Sequence, residues 1–185
     1  METGEIQIKR LSSELVSDFF KFHDNLETCG WCYCVAWWVP TWKGFIQRTA
    51  FQNRQLREKL FATGEYGGYL LYLDDEPRGW CQVGPRDRLQ RLLDQHNLAP
   101  EPDIWAITCF LIDKQLRREG YARRMLEAIL EDLRRQKVRI VEAYPHKQLA
   151  DDPDEMWAGP VTIYQEAGFR PVSESGKNLV MRLEL

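Results

Sequence analysis

The chain has 185 residues, 44% of them hydrophobic and 29% charged, and a formal net charge of −3. That composition is ordinary for one soluble globular domain with a sizeable core, and the slightly acidic balance supplies no basic field for nucleic acid. No apolar run reaches the roughly 18 residues of a membrane helix, and the acidic opening Met1-Glu2-Thr3-Gly4-Glu5 lacks the apolar core of a signal peptide, so a cytoplasmic protein away from membranes is expected, its five cysteines free thiols.

In chain order, alternation of Ile6 and Ile8 with Gln7 and Lys9 predicts a first strand at about 5–11. Ser12 then stands as N-cap before Leu15, Phe19 and Phe22, which share a helix face ending near Asp24-Asn25. Residues 28–45 hold four of the seven tryptophans and three of the five cysteines, with no period of 2 or 3.6. They read as a loop with a short helical turn, either a hydrophobic plug over the core or the wall of a binding site. Cys29-x-x-Cys32-x-Cys34 with His23 upstream also has the residue types of a zinc site or a redox pair. The Cys32-x-Cys34 spacing is tight for a tetrahedron and no second CxxC exists, so no metal is expected.

A helix is predicted over 46–63, with Ile46, Ala50, Asn53, Leu56, Leu60 and Phe61 on one face and Gly64 as its stop. Strands at 66–73 and 78–83 flank the turn Asp74-Asp75-Glu76-Pro77 and form an antiparallel hairpin. Leu89 to Leu93 reads as a short helix. The apolar run Ile104–Ile112 is a central strand, a polar turn 113–120 follows, and a helix opens at Tyr121 with Ala122, Met125, Leu126, Ile129, Leu130 and Leu133 in one stripe. Residues 138–144 form a further strand, parallel to the central one because an amphipathic crossover helix joins them. The loop 145–159 is long and carries Asp151, Asp152, Asp154 and Glu155. A short helix at 160–167 with Pro160 in its first turn and a closing pair of strands at 170–175 and 178–184 complete the chain.

The central helix start breaks a local rule. Arg117, Arg118, Arg123 and Arg124 crowd the end of the helix where backbone N–H groups already carry partial positive charge, a placement that costs about 0.3–1 kcal/mol per cation. An anion resting on residues 117–123, with Gly120 admitting close approach, would resolve the conflict; an exposed basic turn is the alternative.

Arg117-Arg118-Glu119-Gly120-Tyr121-Ala122 resembles the acetyl-coenzyme A pyrophosphate loop of the GNAT N-acetyltransferases, Q/R-x-x-G-x-G/A, with Arg117, Gly120 and Ala122 at the motif positions. Ile163-Tyr164-Gln165-Glu166-Ala167-Gly168-Phe169 resembles that family's "LYEKLGF"-type segment. The resemblance covers residues 66–185 well and the first 60 in outline. It departs at Lys114, where a proline is frequent, and in the length of the 145–159 loop.

The resemblance implies a single α/β N-acetyltransferase domain over 1–185: a mixed, mostly antiparallel sheet flanked by helices, with one splayed parallel strand pair. It implies acetyl-CoA as co-substrate, direct attack by an amine in a ternary complex, and a small-molecule or peptide amine as partner, with a homodimer open. Backbone groups of Phe110, Leu111 and Ile112 would hold pantetheine and the thioester carbonyl. Backbone N–H groups of Arg118, Glu119, Gly120, Tyr121, Ala122 and Arg123 would hold the pyrophosphate, and Arg117 and Arg123 would add side-chain contacts. Tyr164 would protonate the departing thiolate, and Glu142, or His146 beyond it, would take the amine proton. Trp31, Tyr33, Trp37 and Trp38 would line the acceptor site, an aromatic set suited to a flat or cationic amine. A coenzyme-binding module without turnover is the second reading, and a zinc or redox module at Cys29–Cys34 the third.

Overall fold

The computed structural model describes residues 5–147 and 157–185. Seven strands form one sheet in the order β1-β2-β3-β4-β5-β7-β6. In chain order they are β1 (Ile6–Arg10), β2 (Tyr69–Leu73), β3 (Glu76–Pro85), β4 (Ile104–Ile112), β5 (Ile140–Ala143), β6 (Arg170–Ser175) and β7 (Asn178–Glu184). Every neighbouring pair is antiparallel except β4 and β5. That parallel pair follows from the connection: α5 (Tyr121–Arg135) carries the chain back along the sheet before β5 begins. The fold and the splayed pair are as the resemblance implied.

One face of the sheet is covered by α5, whose Met125, Leu126, Ile129, Leu130 and Leu133 are buried against Ile107, Val141, Ala143 and Met181. This is the apolar stripe read from the sequence, and each fully buried side chain contributes about 1.5–3 kcal/mol. The other face carries α1 (Val16–Asp24), α3 (Ala50–Ala62) and the aromatic segment, closing over Cys109, Leu111, Leu70 and Trp80. A short helix α4 (Gln90–His96) packs Leu92 with Trp37 and Tyr144 in a third cluster.

The helix expected over 46–63 is present as α3 but begins later, at Ala50, and Ile46 ends a separate short helix before it. Helix α2 (Trp42–Ile46) is capped by Thr41, whose hydroxyl accepts from the Gly44 N–H at 3.0 Å. Thr49 then opens α3 with a capping box: its Oγ1 accepts from Gln52 N–H, and Gln52 Oε1 accepts from Thr49 N–H. A cap of this kind is worth about 1 kcal/mol and ends the preceding turn as it begins the next. Of the expected face, Asn53, Leu56, Leu60 and Phe61 turn to the core, Ile46 and Ala50 do not, and Arg57 joins it. Ile46 is 71% exposed, and the buried residues of α3 are Asn53, Arg57 and Phe61. Residues 28–45 hold two 3-10 turns, Gly30–Cys32 and Ala36–Trp38, ahead of α2. Gly30 lets them lie against α1, since a Cβ there would sit 1.9 Å from the His23 carbonyl oxygen. The acidic residues 151–155 lie outside the described residues.

Two histidines are buried in this scaffold. His23 has its Nδ1 2.9 Å from the Phe19 carbonyl, and burial lowers its pKa to about 3. Burial likewise lowers that of His96 to about 4, against the pull of Glu142. Below pH 6.5 the unfolded chain takes up protons that the folded chain refuses. Stability should therefore be full above that pH and fall in acid, by up to about 1.4 kcal/mol per pH unit for each histidine. Urea midpoints at pH 7, 6 and 5 check this; His96→Gln should remove about half of the histidine-dependent slope.

Candidate active site

The pairing of β4 with β5 ends at Ile107 opposite Ala143, while β4 continues to Ile112. Past that point β4 has an unpaired edge facing away from β3. Two groups reach it. The Phe110 N–H donates to the Trp157 carbonyl at 2.7 Å, and the Ile112 carbonyl accepts from Arg117 Nε at 3.1 Å. The Phe110 donor expected to meet pantetheine is thus occupied by the segment that crosses the gap. Leu111 lies opposite Trp80 in the β3 ladder and turns its side chain to the other face of the sheet.

Beside the gap lies a cavity of about 340 Å³. Its ceiling is aromatic: Trp31, Trp37, Trp42, Phe45 and Trp157. The rings are in mutual contact, with Trp37 and Trp42 centroids 5.5 Å apart, Trp42 and Trp157 6.1 Å, and Trp31 stacked on Phe45 at 5.0 Å. Its floor is the sheet, through Gln82, Thr108, Cys109 and Leu111, and His146 stands at the β5 side. Thr108 is the extra residue of a β-bulge: Gln82 pairs with Cys109 and Val83 with Ile107. The bulge places the consecutive residues Thr108 and Cys109 on the same cavity, which an ideal strand forbids.

Of the four aromatic residues expected at the acceptor site, Trp31 and Trp37 line this cavity. Tyr33 does not: it is buried, and its hydroxyl donates to Asp24 at 2.6 Å. Trp38 borders a separate, smaller cleft beside Gly67 and Val83. Trp42, Phe45, Trp157, Gln82 and Thr108 were not singled out from the sequence. Trp42 and Phe45 stand in the same aromatic run, but no periodicity orders it, and the Thr108 bulge carries no sequence signal.

The aromatic segment is held by cations. Arg57, 1% exposed, donates from Nε to the Tyr33 carbonyl at 2.9 Å, and from Nη2 to the Cys34 carbonyl at 2.6 Å and Gln82 Oε1 at 3.0 Å. Arg91 donates from Nη1 to the carbonyls of Ala36 at 2.5 Å and Val39 at 2.8 Å. Burial pulls both guanidinium pKa values down from their usual range. Burying a cation costs several kcal/mol, and bonds from a charged donor return about 1.5–3 kcal/mol each, so each arginine needs all its carbonyls.

Glu142, expected as the base, points into the protein interior and away from the cavity. It is fully buried, with Oε2 accepting from Arg86 Nη1 at 2.8 Å and from the Tyr144 hydroxyl at 2.7 Å, and Oε1 accepting from Arg182 at 2.7 and 3.0 Å. Burial raises its pKa, but these donors outweigh burial and hold it below the usual carboxylate range. The carboxylate has no lone pair free for an incoming proton and does not line the cavity. Tyr164 is also fully buried; its hydroxyl donates to the Ala158 carbonyl at 2.7 Å, and burial raises its pKa. A phenol held neutral remains a proton donor.

The thiols are not arranged as a metal centre: among the described residues no group of three or more His, Cys, Asp or Glu is placed to hold an ion. Cys34 Sγ lies 3.0 Å from Cys109 Sγ and 3.6 Å from His23 Nε2. Burial raises the Cys34 pKa; at Cys109 the contact with Cys34 lowers the pKa, but burial of the thiol carries it up overall. Protonated thiols are poor nucleophiles.

At the start of α5, Gly120 has φ +82, a backbone conformation that favours glycine, and a Cβ built on it would meet nothing within 4 Å, so the approach is open. Arg118 beside it is also left-handed at φ 68 and exposed. The first turn of the helix leaves its N–H groups without intrahelical acceptors. Arg123 is turned aside, paired with Glu166.

The chain belongs to the acetyltransferase (GNAT) family, whose model matches residues 31–152. Membership places it among the acetyltransferases. No curated protein matches the sequence. Among solved structures it is similar to the PaiA N-acetyltransferase of Thermoplasma acidophilum in complex with coenzyme A, at 12% identity and TM-score 0.59 over 98% of this chain and 99% of that one. It is also similar to the ribosomal-protein-S18-alanine N-acetyltransferase of Escherichia coli, at 12% identity and TM-score 0.56 over 97% and 94%. At these identities the likeness speaks for the fold.

The Arg86–Glu142–Arg182 network joins β5, β7 and the turn after β3. Glu142→Gln leaves Arg86, whose side chain is fully buried, with only the half-exposed Glu101 at 3.4 Å as an anion, and should cost about 3 kcal/mol in chemical denaturation at neutral pH. A variant of parental stability that loses only turnover would restore Glu142 as a base.

Proposed function

We propose that the protein transfers an acetyl group from acetyl-CoA to an amine by direct attack in a ternary complex. The observation that carries this reading is the meeting of two features at one strand: the unpaired edge of β4 opens on one side to the α5 N-terminus and on the other to the aromatic cavity. The pyrophosphate rests on the N–H groups of residues 118–123, with Arg117 close by; the complex of the Thermoplasma relative with coenzyme A supports the same use here. Arg123 contributes once it leaves Glu166. Pantetheine follows the β4 edge along Phe110 to Ile112, and the Trp157 segment moves off the Phe110 N–H to admit it. That donor then polarises the thioester carbonyl, where a preorganised N–H is worth most as charge develops.

The amine sits in the cavity. With Glu142 saturated, His146 is the base, because it lines the cavity from the β5 side. Tyr164 exchanges the Ala158 carbonyl for the leaving sulfur and donates its proton there. A coenzyme-binding module without turnover is the second reading; the open first turn of α5 would serve it equally.

Two tests follow from this assignment. Acetyl-CoA at about 100 times its Kd should raise stability by about 2.7 kcal/mol in a thermal shift, and Gly120→Asp, which adds strain and a negative charge, should abolish that gain. Tyr164→Phe and His146→Ala should each lower kcat by about 10²-fold or more at saturating acetyl-CoA while the acetyl-CoA thermal shift persists. Unchanged turnover in either variant removes that residue from the chemistry.

A further inference from the structure

The charge around the cavity narrows its acceptor, an inference that rests on the acetyl transfer proposed above. Among the described residues no carboxylate lines the cavity. Two cations instead stand behind its wall. The Arg91 guanidinium lies 3.7 Å from the Trp42 ring centroid and 5.7 Å from that of Trp37. Arg57 holds Gln82 from behind at 3.0 Å. Neither is ion-paired within the described residues; Glu65, the carboxylate felt by Arg57, is bound to Arg88 at 3.0 Å.

The floor has matching polarity. A guanidinium only donates, so Arg57 fixes Gln82 with its oxygen inward and its amide nitrogen on Thr108 Oγ1, at 2.9 Å. That hydroxyl therefore accepts from Gln82, and its own hydrogen has no acceptor among the described protein groups. The floor presents donors, in a wall whose rings already face cations from behind. An ammonium ion entering here would meet like charge and, among the described residues, no anion, whereas a flat neutral amine would bury its ring against Trp37, Trp42 and Trp157.

We propose that the acceptor is a small aromatic amine, uncharged at neutral pH, on which a neutral or anionic ring substituent is accepted and a cationic one refused. Such a nitrogen carries a free lone pair without prior deprotonation, which suits a cavity lined, among the described residues, by no carboxylate. The nitrogen attacks the thioester carbon, the C–N bond forms and the C–S bond breaks; the sulfur takes a proton, and the amine proton leaves to His146 or water. The products are the N-aryl acetamide and free coenzyme A.

The full chain with acetyl-CoA is assayed by thiol release against aniline, 4-aminobenzoate, (4-aminophenyl)trimethylammonium, spermidine and a peptide beginning with alanine. The expected result is kcat/KM for aniline and 4-aminobenzoate at least tenfold above the trimethylammonium amine, with spermidine and peptide near background. Thr108→Val, a near-isosteric change, should lower kcat/KM for 4-aminobenzoate at least fivefold and leave the acetyl-CoA thermal shift unchanged. Equal or better turnover of spermidine, the peptide or the cationic ring amine overturns the acceptor class and leaves the transferase reading standing. Silence with every amine overturns the transferase reading and this proposal with it.

Discussion

Two guanidinium groups buried without carboxylates decide the shape of this site. Arg57 and Arg91 take the backbone carbonyls of Tyr33, Cys34, Ala36 and Val39, in a stretch whose short 3-10 turns form few backbone hydrogen bonds of their own. An orphaned buried carbonyl and an orphaned buried cation are each costly, and pairing them removes both costs. A segment with no helical or strand period thereby gains one fixed conformation. Its tryptophans become a ceiling, and the space below stays open because the backbone is held from the side rather than by its own collapse.

The sheet supplies the complementary half. β4 is paired on both sides over residues 105–107 and on one side thereafter, because β5 stops at Ala143. Where pairing ends, the strand also bulges at Thr108 and turns two consecutive side chains to the cavity. The same strand thus offers a backbone edge to one partner and a side-chain floor to another. Amine attack on a bound thioester needs that adjacency, since holding both reactants on one rigid element converts a bimolecular encounter into a local one.

Glu142 shows why a residue type at the right strand end does not make a catalyst. Its position beside the gap is the one a base would occupy, yet it faces Arg86, Tyr144 and Arg182 and joins the turn after β3 to β7. Both of its oxygens are bonded, one to buried Arg86 and Tyr144 and the other to half-buried Arg182, which ties three elements together. His146, four residues on, reaches the cavity because the chain has left the strand by then.

The sequence by itself determined the strands, the parallel pair, the α5 stripe and the glycine turn before it. Each rests on local periodicity or on a backbone conformation that one residue type satisfies, so neighbours in the chain suffice to specify it. The density of aromatics also pointed to Trp31 and Trp37, which line the cavity, along with Tyr33 and Trp38, which do not. The tertiary structure alone decided that Arg57 joins the inward face of α3, that Glu142 is saturated, and that Gln82 and Thr108 meet on the cavity floor. Those outcomes depend on pairings between residues some 25 to 56 positions apart, such as Arg57 with Gln82 and Arg86 with Glu142, which no local pattern encodes.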